Sequence, residues 1–256
     1  MRESLKRTTP PRSHQCGDAR QAPRRATTAL SHGLPAAGGR APGDAHPSLI
    51  GERISSMAIP VLRDKSHTAV LIMDYQNDIV RGVAANHPAL LDRAAAVLSG
   101  ARLAGLPVIY VMVCFRPGYP EISDRNPLFR SLKEAGRLGE GTPGAAIHPH
   151  VAPQPTEVIV TKRRVGAFAT TELESILRAH QVTSLVLLGI ATSGVVLSTV
   201  RWAADADYEL VVLEDCCADA DEEVHRVLMH KVFPRQATVV QAQEFLQALA
   251  PVAEKP

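Results

Sequence analysis

From about residue 66 onward the chain alternates between short blocks of consecutive apolar residues and longer stretches whose apolar residues recur every three or four positions. Short apolar blocks bounded by turn residues mark strands buried on both faces, and the wider spacing marks amphipathic helices. Ala69–Met73 is a first strand, ending at Asp74. Pro88–Leu103 is a helix with Leu90, Leu91, Ala94, Ala95, Val97 and Leu98 at helical spacing and Gly105 past its end. Val108–Val113 and Val158–Val160 are the second and third strands. A helix capped by Thr170 or Thr171 runs through His180, followed by a fourth strand at Leu185–Leu188 and a helix at Ser193–Ala206. Leu210–Leu213 is a fifth strand, Asp221–Val232 a helix, Ala237–Val240 a sixth strand and Gln243–Leu249 the last helix. The segment Phe115–His150 breaks the rhythm with Pro, Gly and charged residues and one short helix near Pro127–Ala135. A connection of that length in a compact domain is a lid or an insertion.

Strands separated by helices give an α/β fold, a three-layer αβα sandwich around a six-stranded parallel sheet. The doubly wound order 3-2-1-4-5-6 sets strands one and four on either side of the switch point, where ligands sit in such sheets. Asp74 then faces the turn at residues 189–195. That turn, in LVLLGIATSGVVLST, leads from a buried strand into a helix whose first N–H groups can hold an anion or a developing oxyanion.

Charge separates the chain into two parts. Residues 1–57 carry nine Lys and Arg against four Asp and Glu and show no apolar period, whereas the remaining residues are net negative at −3. The first part cannot bury enough surface to offset its ordering entropy. It reads as a disordered extension, or as sequence upstream of a start at Met57, with 58–256 as the folded domain. Its Arg-rich, acid-poor makeup superficially resembles a transit peptide, and Arg24-Arg25 matches a twin-arginine pair without the apolar stretch that should follow. The mildly acidic domain argues against nucleic acid as a partner. No apolar run reaches membrane-spanning length. The expected compartment is the cytoplasm.

Several candidate motifs fail their own context. Gly139, Gly141 and Gly144 spell G-x-G-x-x-G, but no strand precedes them and Pro143 interrupts them, so they form a loop. Ser193 lacks the glycine a nucleophile elbow needs at position 191. His148 and His150 make an incomplete metal set. Cys16, Cys114, Cys216 and Cys217 show neither metal spacing nor a secretory context and read as reduced thiols, the last two following strand five. Asp74 is sharper. A carboxylate directly after four apolar residues is desolvated and pushed toward general acid–base work, or else anchors the loop that follows. Lys162, in EVIVTKRRVGAF, either pairs with Asp74 or belongs with Arg163 and Arg164 to a solvated face.

Taken together, AVLIMDYQNDIV, GTPGAAIHPHVAPQPTEVIVTKRRVGAF, TTELESIL and VLLGIATSGVVLSTVRWAADADYELVVLEDCCAD resemble the isochorismatase-like hydrolases, or cysteine hydrolases, across most of residues 66–241. The resemblance implies a hydrolase with a six-stranded parallel αβα sandwich, usually a homo-oligomer. It assigns the Asp and Lys of the family's Asp–Lys–Cys triad to Asp74 and Lys162, and places a non-proline cis peptide between Ala191 and Thr192. The triad cysteine falls on Val195, which has no nucleophilic atom, so a thioester route cannot run there. Ser198 and Cys114 are the nearest surrogates, and neither has a visible His partner. The zinc cluster of the related nicotinamidases has no counterpart in VCFRPGYPEIS, so neither metal nor cofactor is expected. Isochorismatases proper also lack the cysteine and cleave a vinyl ether with a carboxylic acid. The resulting expectation is a metal-free hydrolase of a small metabolite, with Asp74 as acid, Lys162 its partner and the N–H groups of Thr192 to Val195 as an anion cradle. Gln76, Phe115, Arg116, Ala191, Thr192 and Gly194 would line the substrate. The competing expectation is a silent family member that binds without turnover.

Overall fold

The computed structural model describes residues 59, 62, 64–83 and 86–250. The expected N-terminal extension at 1–57 lies outside them. The order of elements is β1 (Thr68–Met73), α1 (Asn77–Val83), α2 (Leu90–Leu103), β2 (Val108–Val113), α3 (Pro127–Glu134), β3 (Val158–Lys162), α4 (Leu173–Ala179), β4 (Ser184–Ile190), α5 (Leu197–Asp205), β5 (Glu209–Ala218), α6 (Glu222–Val227), β6 (Thr238–Val240) and α7 (Ala242–Leu249). All six strands are parallel and lie in the order β3-β2-β1-β4-β5-β6. The fully apolar strands β1 and β4 occupy the centre, where both faces are covered.

Side chains alternate between the two faces of the sheet, as the period of two requires. Val70, Ile72, Tyr110, Val186, Leu188 and Val211 pack against α2 and α7. Leu71, Met73, Val111, Val160, Leu187 and Val212 pack on the other face, with residues of α4 and α5. Helices α2 and α7 cross at Gly100, where a Cβ would stand 2.4 Å from Leu246 Cδ2, so a larger residue there must move the end of the Leu246 side chain. The segment after β2 carries a small core of its own, made by Val113, Phe115, Ile122, Phe129 and Leu138.

Apart from helix α1, which has no counterpart among the expected elements, the differences lie at element ends. Helix α1 had no usable signal, because seven residues containing Gly82 are too short to display a period. Strand β3 runs on to Lys162, which pairs with Val113. Strand β5 extends to Ala218, so Cys216 and Cys217 lie within it and do not follow it. This long strand absorbs a shift of register: Leu187 pairs with Val212, but Gly189 pairs with Cys217. The helix expected from Ser193 opens with a π-helical turn, Thr192–Val196, before α5 begins. The helix expected over Asp221–Val232 likewise ends in a π turn at Leu228–Val232. Helix α4 starts at Leu173 after Glu172; Thr171 only accepts a long bond from the Leu173 N–H, 3.4 Å.

Candidate active site

Strand β1 delivers Asp74 to the carboxyl end of the sheet in a left-handed conformation, φ 60°, a region Asp enters more readily than most residues. Its N–H donates to Val111 O at 2.8 Å, and the Gln76 N–H donates back to Asp74 O at 2.8 Å. The turn is thus fixed by the backbone and the side chain is left free for other work. Asp74 Oδ2 lies 2.8 Å from Lys162 Nζ, and the two side chains are 7% and 2% exposed. Lys162 Nζ also donates to Arg164 O at 3.1 Å. Asp74 Oδ1 is buried without a hydrogen-bond partner. Burial raises the proton affinity of the Asp74 carboxyl, and the charge of Lys162 opposes that rise.

The facing wall follows from strand pairing. Met73, the last residue of β1, pairs with Gly189, so the chain leaves β1 at Asp74 and β4 at Ile190 on the same carboxyl edge of two neighbouring strands. Gly189 is tightly enclosed; a Cβ there would meet Val196 Cγ2 at 3.1 Å and Met73 Cβ at 3.2 Å. The cis peptide joins Ile190 to Ala191, one bond earlier than expected between Ala191 and Thr192, at the very end of the strand. Within the turn the Ser193 N–H donates to Asp219 Oδ2 at 2.7 Å and the Gly194 N–H to Ala191 O at 3.1 Å. Two of the four donors expected in the anion cradle are therefore already engaged. The Thr192 hydroxyl shares a 2.8 Å hydrogen bond with His225 Nδ1. Val195 is 2% exposed and belongs to the core that contains Met73 and Val196.

Other expected lining residues have different work. Gln76 is fully buried; its Nε2 donates to Val113 O at 2.8 Å and Ala145 O at 2.7 Å, and its Oε1 accepts from the Val113 N–H at 2.8 Å. Its amide thus ties the 115–148 segment to β2 and has little left for a substrate. Phe115 is fully buried, its ring 5.5 Å from that of Phe129 and 5.8 Å from that of Tyr119. Arg116 is mostly exposed and pairs with Glu121 at 2.6 Å, which spends its charge at the surface. Arg163 is bound between Glu121 and Glu140 and donates to Cys114 O. Ala191 and Gly194 are half-buried at the turn, and a Cβ on Gly194 would lie 3.8 Å from Val165.

Gly139 and Gly144 lie in ordinary loop geometry: Gly139 bridges to Phe115, and Gly144 O accepts the Asp78 N–H. His150 pairs with Asp92 at 2.8 Å and also donates its backbone N–H to His148 Nδ1. Cys114, Cys216 and Cys217 are buried free thiols, all pushed up by burial, Cys217 to about 12. Cys16 lies outside the described residues. Among the described residues, no three His, Cys, Asp or Glu side chains gather closely enough to share a metal ion, and no helix is long and apolar enough to cross a membrane. Two surface hollows, one beside Tyr208 and Pro234 and one beside Arg102 and His180, do not include Asp74.

The model of the isochorismatase domain matches residues 68–244 of this chain. The chain belongs to the isochorismatase family. Among its relatives, the maleamate amidohydrolase of Pseudomonas putida is 29% identical over 165 residues, covering 64% of this chain and 76% of the relative. The ureidoacrylate amidohydrolase RutB of Rhizobium rhizogenes is 30% identical over 214 residues, covering 75% and 83%. The crystal structure of an isochorismatase family protein from Burkholderia thailandensis superposes with a TM-score of 0.62 at 28% identity, covering 72% of this chain and 96% of that one. The named relatives are hydrolases of small metabolites, and this family member shares the α/β fold of the Burkholderia thailandensis protein.

Asp219 and His225 carried no signal in the sequence. Asp219 follows two core cysteines and His225 sits in an ordinary polar helix, and only the fold brings both to the turn. The useful clue would have been that an acid ending a buried strand beside a switch point has backbone donors within reach.

Proposed function

We propose that this isochorismatase-family protein hydrolyses a small anionic or carbonyl-bearing metabolite without forming a thioester, with Asp74 as general acid and base. The observation that carries this reading is the division of labour between the two oxygens of Asp74. Oδ2 is held by Lys162, while Oδ1 is buried and unpartnered, and an unpaired buried acceptor is costly unless something else satisfies it. A proton on Oδ1, or a substrate donor in contact with it, supplies that partner. Burial favours the protonated acid and Lys162 restrains it, so the carboxyl sits above its ordinary value, the direction a proton donor needs.

For a vinyl ether, Asp74 Oδ1–H protonates the enol-ether carbon as the C=C electron pair takes the proton. The resulting oxocarbenium accepts water, water loses a proton to the Asp74 carboxylate, and the hemiketal then splits into a carbonyl compound and an alcohol. The Thr192 and Val195 N–H groups are the donors this reading assigns to the substrate's anionic group. Relatives named as amidohydrolases of unsaturated carboxylates support small planar carboxylates as the substrate class. Neither metal nor cofactor enters the scheme. The family resemblance further supports a homo-oligomer at work in the cytoplasm, which light scattering on the purified chain and fractionation of cells test.

One observation favours the second reading, a family member that binds and does not turn over: Val195, which the resemblance sets at the place of the family nucleophile, has its side chain packed in the core. A pool of small metabolites, including maleamate, ureidoacrylate and vinyl-ether acids, screened for consumption beside a thermal-shift screen separates the two. Consumption that Asp74→Asn reduces at least about a hundredfold supports the acid. Full activity in that variant removes Asp74 from the mechanism, and a thermal shift without consumption favours the binding reading. Val195→Cys puts a thiol where the resemblance places the family nucleophile, and a covalent acyl adduct by mass spectrometry is the expected outcome.

A further inference from the structure

The turn's own bonds run through its carbonyls: Ala191 O accepts the Gly194 and Val196 N–H groups and Thr192 O accepts the Leu197 N–H, while the Ser193 N–H and the Thr192 hydroxyl are held from outside. Helix α5 begins only at Leu197, after a π-helical turn, and the residues preceding it have no capping side chain of their own. Both outward bonds come instead from the corner between β5 and α6. Asp219, 7% exposed, accepts the Ser193 N–H at 2.7 Å through Oδ2, and its Oδ1 accepts the Asp221 N–H at 3.4 Å. One turn into α6, His225 bonds the hydroxyl of the fully buried Thr192 at 2.8 Å. The register shift in β5 makes this possible. It pairs Ala218 with Ile190, so Asp219 is the next residue along beside Ala191, within reach of the turn.

We propose that Asp219 and His225 are positioning residues, a two-point clamp that holds consecutive residues of the 191–195 turn in place against Asp74. The inference rests on Asp74 and the turn forming the reactive centre, and it adds that the geometry of this centre is set from the β5–α6 corner. The two contacts differ in kind. The Asp219 bond is charge-assisted, which makes it the stronger of the two. It also takes the Ser193 N–H away from any ligand and puts a carboxylate behind the turn, so an anionic substrate must draw its donors from the neighbouring residues. The His225 bond joins two groups that can each donate or accept, so its polarity follows the tautomer. Burial lowers the proton affinity of His225. Glu214, Asp219 and Glu222 pull the other way, and His87 adds to the lowering. His87 in turn keeps a buried, unpartnered Nε2.

The test uses the full chain and needs no substrate. Amide hydrogen exchange by NMR reads the Ser193 N–H, and the titration of the Asp74 side-chain carboxyl carbon reads the centre that the clamp serves. Asp219→Leu should speed Ser193 exchange about tenfold or more and move the Asp74 midpoint by about half a pH unit or more. Asp219→Asn, which can still turn one oxygen to the Ser193 N–H but gives up the charge and the second acceptor, should fall between wild type and Asp219→Leu in Ser193 exchange. His225→Leu should move the Asp74 midpoint in the same way, and His225→Asn, which offers a polar atom near the Nδ1 position, should restore it. If the leucine variants fail to fold, Thr192→Val against Thr192→Ser makes the same comparison from the other end of the bond. Unchanged Ser193 exchange in Asp219→Leu overturns the clamp. So does a fall in melting temperature with no movement of the Asp74 midpoint, since that is the signature of packing alone. Retained turnover in Asp74→Asn would instead sink the acid assignment and leave these exchange results standing.

Discussion

Lys162→Met isolates the buried ion pair while keeping most of the apolar stem that Lys162 packs into the fold. The change leaves the Asp74 carboxylate, with its Oδ1 already unpartnered, without the neighbouring cation 2.8 Å away. Removing one member of a buried pair costs about 3–5 kcal/mol. A ceiling follows from protonation: Asp74 can escape the penalty by taking a proton in the folded state. Relative to the ordinary value of 3.8, doing so at pH 7 costs about 4 kcal/mol at 1.36 kcal/mol per unit. For a domain of this size that corresponds to a melting temperature lower by roughly 8–16 °C. The sign follows from linkage. A carboxyl whose folded value is raised contributes full stability below pH 3.8, and that contribution is lost as pH rises toward the folded value. The deficit of Lys162→Met should therefore shrink by about 1.4 kcal/mol for each unit of acidification until pH reaches the raised wild-type value of Asp74, below which both proteins hold the proton and the slope ends. Urea denaturation at pH 7, 5.5 and 4, with Asp74→Asn/Lys162→Met alongside, measures it. The double variant, with no charge left to strand, should recover most of the loss at pH 7. A deficit that does not change with pH, or a double variant as weak as the single one, refutes the reasoning.

Gln76→Leu should cost about 3 kcal/mol by leaving the Val113 N–H, Val113 O and Ala145 O unsatisfied, and hydrogen exchange should quicken at Val113. Gly189→Ala should destabilise by about 1–3 kcal/mol through overpacking against Val196 and Met73, with urea midpoints as the readout. His225 has a folded proton affinity below the ordinary 6.5, so the unfolded chain gains its proton first. Stability from this group is present above pH 6.5 and lost as pH falls toward the folded value; His225→Asn should flatten that limb of the urea-midpoint profile, with the limb from His148, lowered in the same direction, remaining. If Asp74 acts as an acid, kcat/KM on a substrate that needs protonation should fall as pH rises through its raised value.

The fold was legible because continuous apolar blocks such as AVLIM and LVLLGI admit little but doubly covered strands, and because the strand–helix rhythm leaves few topologies. The place of Asp74 followed from the same logic, and Lys162 meets it because β3 runs two residues past Val160. The secondary roles were not legible. Gln76 faces three backbone partners, two of them in Val113 and one in Ala145, and no local pattern records such a long reach. Arg116 finds Glu121 five residues away at the surface, a pairing that its polar, Pro-rich surroundings neither require nor forbid. The π turn at Thr192–Val196 hides in a segment whose apolar spacing fits an ordinary helix. The clamp of Asp219 and His225 depends on a register shift inside β5, which is set by how the strands pair and not by any residue in it.

The single amide of Gln76 fastens both the root of the 115–148 excursion, at Val113, and its return, at Ala145. Between those two points the excursion also grips the residues that follow Lys162, because Glu121 and Glu140 pair with Arg163 and Glu121 O accepts from Arg164. Only the exposed outer surface of α3 is clear of these anchors, so changes confined to it should leave the surroundings of the acid as they are, whereas changes at Glu121 or Glu140 should be felt beside Lys162.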